Sequence, residues 1–276
     1  MRVDRERMID VMNKCSMESI NVELLEKVKK LAYECGEMIR DKQELRVQNK
    51  AEHDFVTSKD IEVSDYLLSR LPDLLPASIV VSEEAPSSVV DPSVPRWIVD
   101  PIDGTTNFMF DSGLYAVSIG LLVQDEPVLG VVYNPAADEM FSGLSGHGAF
   151  LNDREFRVNG NETLGGTVIL VETNPYGDRN SNITFHMMRK VFQKSIDIRV
   201  LGSAALDICY VACGRGGAAV MESIKPWDYA GAGAILKAAG GEITDWSGQK
   251  NRYLGSEGVV ASNGRLHAEI LAEIGA

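Results

Sequence analysis

A short apolar run that ends in an acidic turn constrains the fold of this chain more than any other stretch. Residues 97–99 (Trp-Ile-Val) predict a buried strand. We expect it to stop at Asp100-Pro101, because proline lacks the N–H that a strand ladder needs. Asp103 and Gly104 follow, and glycine allows close approach of the backbone to a ligand. The pattern predicts either a turn that binds a hard divalent cation or an ordinary Asp/Gly/Thr turn.

A second predicted strand delivers carboxylates in the same way. Residues 79–82 (Ile-Val-Val-Ser) form a short apolar run, and Glu83 and Glu84 follow it directly. Adjacent side chains point in different directions, so we expect only one of these glutamates to reach a common site directly. The other glutamate would hydrogen-bond to the ligands of that site rather than bind the cation itself.

Two predicted helices begin with further carboxylates. Asp60 stands at the third position of a capping box that opens a helix predicted over 58–71. Asp228 lies in the first turn of a helix predicted over 226–239, which begins with a proline. Each acid has two interpretations, as a partner of the helix dipole or as a member of a site that handles metal and phosphate.

Seven carboxylates come together if these strand ends and helix starts meet. They are Asp54, Asp60, Glu83, Glu84, Asp100, Asp103 and Asp228. Without cations such a cluster would repel itself severely. Oxygen ligands without His or Cys select hard cations such as Mg²⁺, and the four histidines of the chain fall outside these motifs. The sequence therefore favours magnesium over zinc.

The charge and hydropathy of the chain narrow its partners. A net charge of −13 disfavours nucleic acid and anionic membranes as main partners, because both attract basic surfaces. The longest apolar run, residues 114–123, is too short to span a bilayer, and residues 1–7 are too charged for a signal peptide. We therefore expect a cytoplasmic protein with free thiols. Its cysteines are Cys15, Cys35, Cys209 and Cys213.

The order of the predicted elements favours an α+β fold with two lobes in a single domain, residues 1–276. The N-terminal lobe, about residues 1–160, combines helices with an antiparallel meander. Its elements are predicted at 5–18, 21–40, 58–71 and 116–151. The C-terminal lobe, about residues 161–276, alternates strands with helices, which predicts a mixed, mostly parallel sheet.

Four motifs together resemble the inositol monophosphatase family. Residues 97–108 (Trp-Ile-Val-Asp-Pro-Ile-Asp-Gly-Thr-Thr-Asn-Phe) look like the first signature of that family. Residues 227–233 (Trp-Asp-Tyr-Ala-Gly-Ala-Gly) look like its second. Two shorter motifs, residues 54–57 with Asp60 and residues 82–84, match in the family's order. The resemblance runs from about residue 21 to the C-terminus.

The resemblance implies a layered α/β/α/β/α sandwich, a homodimer, sensitivity to lithium, and a phosphatase with two or three Mg²⁺ ions in its active site. Residues 1–20 look like an extension that the family usually lacks. The implied metal ligands are Glu83, Asp100, the carbonyl of Ile102, Asp103 and Asp228. The implied catalytic residues are Asp60, Thr105 and Glu83, of which Asp60 and Thr105 would polarise the water that attacks phosphorus in line. The implied supporting residues, or a weaker third metal site, are Lys50, Asp54 and Glu84.

The resemblance also implies a substrate site, but one anchor of it is changed. The implied substrate-binding residues are Asp103, Gly104, Thr105, Gly202, Ser203, Ala204, Glu222 and Asp228. Met221 stands where the family has an inositol-binding glutamate, and Glu222 is its neighbour. Inositol monophosphate is the first expected substrate. The alternatives are histidinol phosphate, fructose 1,6-bisphosphate and 3′-phosphoadenosine nucleotides, or a non-enzymatic regulatory role for the same fold.

Overall fold

The computed structural model describes residues 19–76, 78–85, 93–173 and 183–275. The helix predicted near 5–18, with Cys15, lies outside the described residues. The helices are α1 (Val22–Arg40), α2 (Ser58–Leu74), α3 (Thr105–Met109), α4 (Ile183–Lys194), α5 (Ala204–Ala212), α6 (Pro226–Ala238) and α7 (His267–Gly275). Within the described ranges, no helix is long and apolar enough to cross a membrane.

Two large sheets and one hairpin contain the strands. The hairpin and the first sheet use β1 (Val47–Ala51), β2 (Asp54–Thr57), β3 (Ile79–Ser82), β4 (Arg96–Asp103), β5 (Ala116–Val123), β6 (Glu126–Asn134), β7 (Glu139–Leu144), β8 (Gly148–Leu151) and β9 (Arg154–Phe156). The second sheet uses β10 (Val168–Glu172), β11 (Asp197–Arg199), β12 (Ala218–Ile224), β13 (Glu242–Asp245) and β14 (Glu257–Ser262). The β1–β2 hairpin and the short helix α3 were not predicted from the sequence.

The first sheet has seven strands in the order β3-β4-β5-β6-β7-β8-β9. The meander predicted over 116–151 is confirmed as antiparallel, and β3 alone pairs in parallel, with β4. Because the carboxyl ends of parallel neighbours meet at one edge, this pairing matters for the site. Ser82 lies opposite Val99, so Glu83 follows its strand beside Asp100.

The prediction that β4 stops at Asp100-Pro101 is wrong, because the strand continues to Asp103. Asp100 pairs with Ser118 and Asp103 with Ala116, so β4 uses one more residue than β5 between these pairs. This bulge leaves Pro101 without a ladder bond to make, which is how a strand accommodates proline. Both aspartates are therefore held on a buried strand rather than on a free turn.

The second sheet is mixed, as predicted, with strand order β11-β10-β12-β14-β13. Strand β10 pairs in parallel with β11 and β12, whereas β14 is antiparallel to both β12 and β13. Parallel pairs thus make up half of the described pairs rather than most of them. The reason is that β14 returns directly after β13 and inserts beside β12, without a helical crossover between β13 and β14.

Three apolar cores separate the layers of a sandwich, as the resemblance implied. Helices α1 and α2 pack on one face of the first sheet, around residues such as Val28, Leu67 and Trp97. Helices α5 and α6 fill the middle between the two sheets. Helices α4 and α7 cover the outer face of the second sheet. The middle layer therefore joins both sheets, and its helices begin close to the site.

A row of glycines seats α6 directly on the first sheet. Gly120, Gly130 and Gly143 lie opposite one another on β5, β6 and β7. A Cβ on Gly130 would lie 2.0 Å from the carbonyl oxygen of Gly231, and one on Gly143 would lie 2.7 Å from Cα of Ile235. Since the obstructing atoms belong to the backbone of α6, a side chain could enter only by moving the helix.

We expect Gly130→Ala to destabilise the protein by about 1–3 kcal/mol and to lower its activity, because overpacking would move α6 and with it the start of that helix. The measurement is the free energy of unfolding in urea together with phosphate release. Gly160→Ala is the control, since Gly160 is exposed and a Cβ there meets no atom within 4 Å. Equal effects of the two substitutions would refute the seating role of the glycine row.

Candidate active site

Three carboxylates converge where β4 and the start of α6 meet. Asp100, Asp103 and Asp228 each offer one oxygen, and these oxygens all lie within 4.8 Å of one another. Asp100 and Asp103 are buried, and Asp228 is half-buried. Oxygens that ligate one cation through bonds of about 2.1 Å lie at most about 4.2 Å apart, so the cluster is slightly wider than a closed Mg²⁺ site. The strand end and helix start predicted from the sequence therefore meet, as expected.

Backbone N–H groups orient two of these carboxylates. Asp100 Oδ1 accepts from the N–H of Ile102 at 3.0 Å, across the bulge of β4. Asp228 Oδ2 accepts from the N–H of Lys225 at 2.7 Å, which caps the first turn of α6. Each carboxylate thus has one oxygen fixed by the backbone, so capping and membership of the cluster are compatible. Asp228 therefore caps its helix and also lies in the acidic cluster.

The start of α5 orients the third carboxylate, that of Asp103. Asp103 Oδ2 accepts from the N–H of Ala205 at 3.0 Å and from the hydroxyl of Ser203. Ser203 is the N-cap of α5, so the free N–H groups at that helix start face Asp103. This contact links β4 to the middle layer of the sandwich, and it brings Gly202, Ser203 and Ala204 to the cluster as the resemblance implied.

The β1–β2 hairpin places a cation over the end of β3. Lys50 Nζ lies 3.0 Å from Glu83 Oε1 and also forms an ion pair with Glu84. Burial raises the pKa of both glutamates, and the charge of Asp54, which begins β2, adds to that rise. All four supporting or ligand positions predicted here therefore lie together. Glu83 stands nearest to Asp100, because β3 and β4 are parallel neighbours.

A buried acid lies next to the hydroxyl that the sequence paired with it. Asp60 is fully buried, and its Oδ2 accepts from the N–H of Thr57 at 2.8 Å in the predicted capping box. Its Oδ1 lies 3.3 Å from Thr105 Oγ1, which is also 3.1 Å from the carbonyl oxygen of Ile102. Asp60 thus has one oxygen committed to the helix cap and one directed at Thr105. The arrangement can hold and transfer a proton.

Gly104 lets the loop before α5 come close to the acidic segment of β4. It has φ +88°, and a Cβ there would lie 2.9 Å from the carbonyl oxygen of Gly202 and 3.0 Å from that of Leu114. A side chain would therefore be strained by the backbone angle and would collide with both carbonyls. The glycine predicted to allow close approach does so, and the neighbour that approaches is the loop before α5.

Sequence reasoning missed Asn107. Its Nδ2 donates to the carbonyl oxygens of Leu114 at 2.7 Å, Leu201 at 2.7 Å and Gly202 at 3.0 Å. One amide on α3 thus fastens the loop before α5 to the acidic segment of β4. The signal was only its place inside the first signature motif, since its partners in that loop lie 94 and 95 residues away and no local pattern indicates them.

The cluster is electrostatically strained when no cation is bound. Burial, followed by the charge of Glu83, raises the pKa of Asp100 well above its ordinary value. Burial and the charge of Asp103 do the same for the pKa of Asp228. Burial raises the pKa of Asp103 to about 7 and that of Asp60 to about 6. Ionised together, these groups need positive charge close by, and an oxygen-only donor set fits a hard divalent cation.

The structure does not bring Glu222 to the cluster. Along β12, Ala219 and Met221 face the middle core, whereas Val220 faces the outer core. Glu222 accepts a hydrogen bond from the hydroxyl of Thr184 on α4, a helix of the outer layer. Met221 is fully buried among apolar residues. The alternation of a strand therefore turns Glu222 away from the place that Met221 occupies.

The five-layer α+β sandwich thus brings Asp100, Asp103 and Asp228 from one strand and one helix start to one point, where their oxygens could hold a metal ion. The sequence profile of the inositol monophosphatase family matches residues 21–276. The chain belongs to this family, and its relatives are phosphatase hydrolases, so it is a phosphoric monoester hydrolase. The resemblance seen in the sequence motifs is thus confirmed over nearly the whole chain.

Three relatives illustrate the range of similar proteins. Human inositol monophosphatase 2 is 35% identical over 251 residues, which cover 88% of this chain and 87% of that protein. The Nus factor SuhB of Pasteurella multocida is 35% identical over 231 residues, 84% of this chain and 86% of that protein. The solved structure of the Thermotoga maritima IMPase has a TM-score of 0.83 at 30% identity, and the match covers 92% of this chain and 97% of that one.

Proposed function

We propose that this protein is a Mg²⁺-dependent phosphomonoesterase that hydrolyses a small polyol phosphate, with inositol monophosphate as the first candidate. The observation that carries the proposal is the convergence of Asp100, Asp103 and Asp228 within 4.8 Å. Family membership supports the phosphatase chemistry, and the name of the human relative supports the substrate. We propose one domain, with a boundary near residue 160 between its two lobes.

The proposed metal ligands are Glu83, Asp100, the carbonyl of Ile102, Asp103 and Asp228. Their all-oxygen donor set suits Mg²⁺, and two or three ions would balance the charge of the cluster. Bound there, Mg²⁺ supplies positive charge to the transferring phosphoryl group and lowers the pKa of the attacking water. The proposed supporting residues are Lys50, Asp54 and Glu84, which lie around Glu83.

Asp60 and Thr105 are the proposed proton-handling pair. The hydroxyl of Thr105 has two acceptors in reach, Asp60 Oδ1 at 3.3 Å and the carbonyl oxygen of Ile102 at 3.1 Å. When it donates to Asp60, its lone pairs are free to accept a hydrogen bond from the attacking water. The pKa of Asp60, raised by burial to about 6, suits it to take the proton that Thr105 passes on. The N–H groups of Gly104 and Thr105 begin α3 and would hold phosphate oxygens.

The leaving alcohol is expected on the side of residues 202–204. Gly202 lies over Gly104, so an alcohol on phosphate held there would face this loop. Met221 offers no hydrogen bond to a hydroxyl, and Glu222 is engaged with Thr184. The hydroxyls of a polyol would therefore need polar partners other than those of the family pattern. For this reason the three alternative substrates are tested beside inositol monophosphate.

A substrate panel tests the function. We expect release of inorganic phosphate from inositol 1-phosphate with MgCl₂ and none with EDTA. Release from inositol 1-phosphate should exceed that from histidinol phosphate, fructose 1,6-bisphosphate and 3′-phosphoadenosine 5′-phosphate. A different first substrate would correct the specificity alone. No release from any of the four at any Mg²⁺ concentration would refute the proposed Mg²⁺-dependent activity on small phosphate esters and favour a regulatory role for the fold.

Quaternary structure, lithium sensitivity, cytoplasmic location and the absence of a nucleic-acid partner stay predictions. For the homodimer, the segment over 183–200 offers an exposed apolar surface for a second copy of this chain. Its exposed members are Ile183, Phe185, Phe192, Ile196 and Val200.

The thiols of Cys35, Cys209 and Cys213 are free, as predicted.

A further inference from the structure

A buried glutamate outside every predicted motif holds the loop before α5. Glu172 ends β10 and is only 8% exposed. Its Oε1 accepts from the N–H of Gly202 at 3.0 Å. Burying a glutamate costs free energy unless its oxygens are hydrogen-bonded. The contact to the backbone of the loop offsets part of that cost. The proposed mechanism leaves Glu172 unused.

The loop that Glu172 contacts connects the second sheet to the acidic cluster. Gly202 adopts φ +76°, and its carbonyl oxygen accepts from Asn107. One residue further, Ser203 donates to Asp103, and the N–H of Ala205 donates to the same carboxylate oxygen. Glu172 therefore anchors, from the second sheet, the loop that orients Asp103. The anchor and the carboxylate are linked through consecutive backbone positions and a helix cap.

A second buried acid lies beside this anchor. Asp207 on α5 is fully buried. Burial, followed by the charge of Glu172, raises the pKa of Asp207 well above the ordinary value, which favours the neutral carboxyl. A neutral Asp207 removes like-charge repulsion from Glu172. Burial also raises the pKa of Glu172 itself, and its Oε1 can accept from the N–H of Gly202 whether or not the carboxyl is ionised.

We infer that Glu172 is a positioning residue that fixes the loop before α5 at Gly202 and, through Ser203 and the first turn of α5, the orientation of Asp103 toward Mg²⁺ and the alcohol side of the substrate. The inference deepens the proposed function and rests on it. Glutamine retains an acceptor of the same reach for the N–H of Gly202, whereas leucine has a similar volume and no acceptor. Glu172→Gln and Glu172→Leu therefore form a matched pair.

The test combines metal binding with local hydrogen exchange on the full chain. For Glu172→Leu we expect the Mg²⁺ concentration at half-saturation, measured by calorimetry, to rise about 10-fold or more. Amide exchange in residues 201–206 should accelerate about 10-fold, while exchange in β12 stays as in the wild type. Glu172→Gln should recover most of both properties. Glu242→Leu, at an exposed position in the same sheet, is the control and should change neither.

Two results would overturn the inference. One is equal behaviour of the glutamine and leucine variants, and the other is unchanged exchange in residues 201–206 of Glu172→Leu. Should the leucine variant fail to fold, Glu172→Ala removes the acceptor without adding branched volume and replaces it. Failure of the proposed function is separate, because it appears in the wild type as absent phosphate release, whereas the exchange comparison needs no turnover.

Discussion

Asp100→Asn should abolish phosphate release while leaving the protein folded. Asparagine keeps the volume of the side chain and an oxygen that can accept from the N–H of Ile102, so the local structure is retained. It removes one negative charge from the proposed Mg²⁺ site. A bound metal ion stabilises the transition state by several kcal/mol. Weakening its binding should therefore lower kcat/KM by about 10³-fold or more. The measurement is phosphate release at saturating MgCl₂.

The same substitution should stabilise the metal-free protein. Burial and the neighbouring carboxylates raise the pKa of Asp100, so its ionised form is unfavourable in the fold. At pH 8 in EDTA, the neutral asparagine of the variant lacks this penalty, and the midpoint of thermal unfolding should rise. Asp73→Asn is the control, since Asp73 is an exposed carboxylate on α2 and should alter neither property. Retained activity in Asp100→Asn would remove this residue from the metal site.

Local patterns predicted where the carboxylates stand in the fold. A strand end and a helix start are set by apolar periodicity, proline and capping residues within about ten residues of sequence. For that reason the end of β3 and the starts of α2 and α6 could be placed before the structure, whereas β4 runs to Asp103, beyond its predicted end. Their convergence was inferred from the repeated pattern of acidic ends, from the cations that such a cluster would require, and from the resemblance of four motifs to one family. The distances within the cluster support that reasoning.

Features that depend on distant parts of the chain could not be predicted. The bulge at Pro101 depends on pairing with β5, so the sequence alone suggested that the strand ends there. Asn107 and Glu172 act on the loop at Gly202, and their partners lie 94–95 and 30 residues away along the chain. Glu222 could be placed only when the two faces of β12 were known. Each case needs the packing of one layer against another.

Thr105→Val should lower kcat about 10²–10⁴-fold, the range for loss of a proton-transfer group. Valine has nearly the shape of threonine but lacks the hydroxyl between Asp60 and the attacking water. The Mg²⁺ concentration at half-saturation should change little, because the proposed metal ligand near this residue is the carbonyl of Ile102 and not the Thr105 side chain. Steady-state kinetics over a range of MgCl₂ concentrations separate the two effects.

Two further variants separate the effect of losing the Thr105 hydroxyl from any effect on the packing of α3. Thr105→Ser retains an oxygen near Asp60 Oδ1, so it should recover most of the lost kcat. Thr106→Val makes the same chemical change at the next position, where the side chain is exposed, and should act like the wild type. If Thr105→Val retained full kcat, Asp60 would have to accept the proton without Thr105. If Thr106→Val lost as much as Thr105→Val, the effect would belong to the helix and the proton path through Thr105 would be refuted.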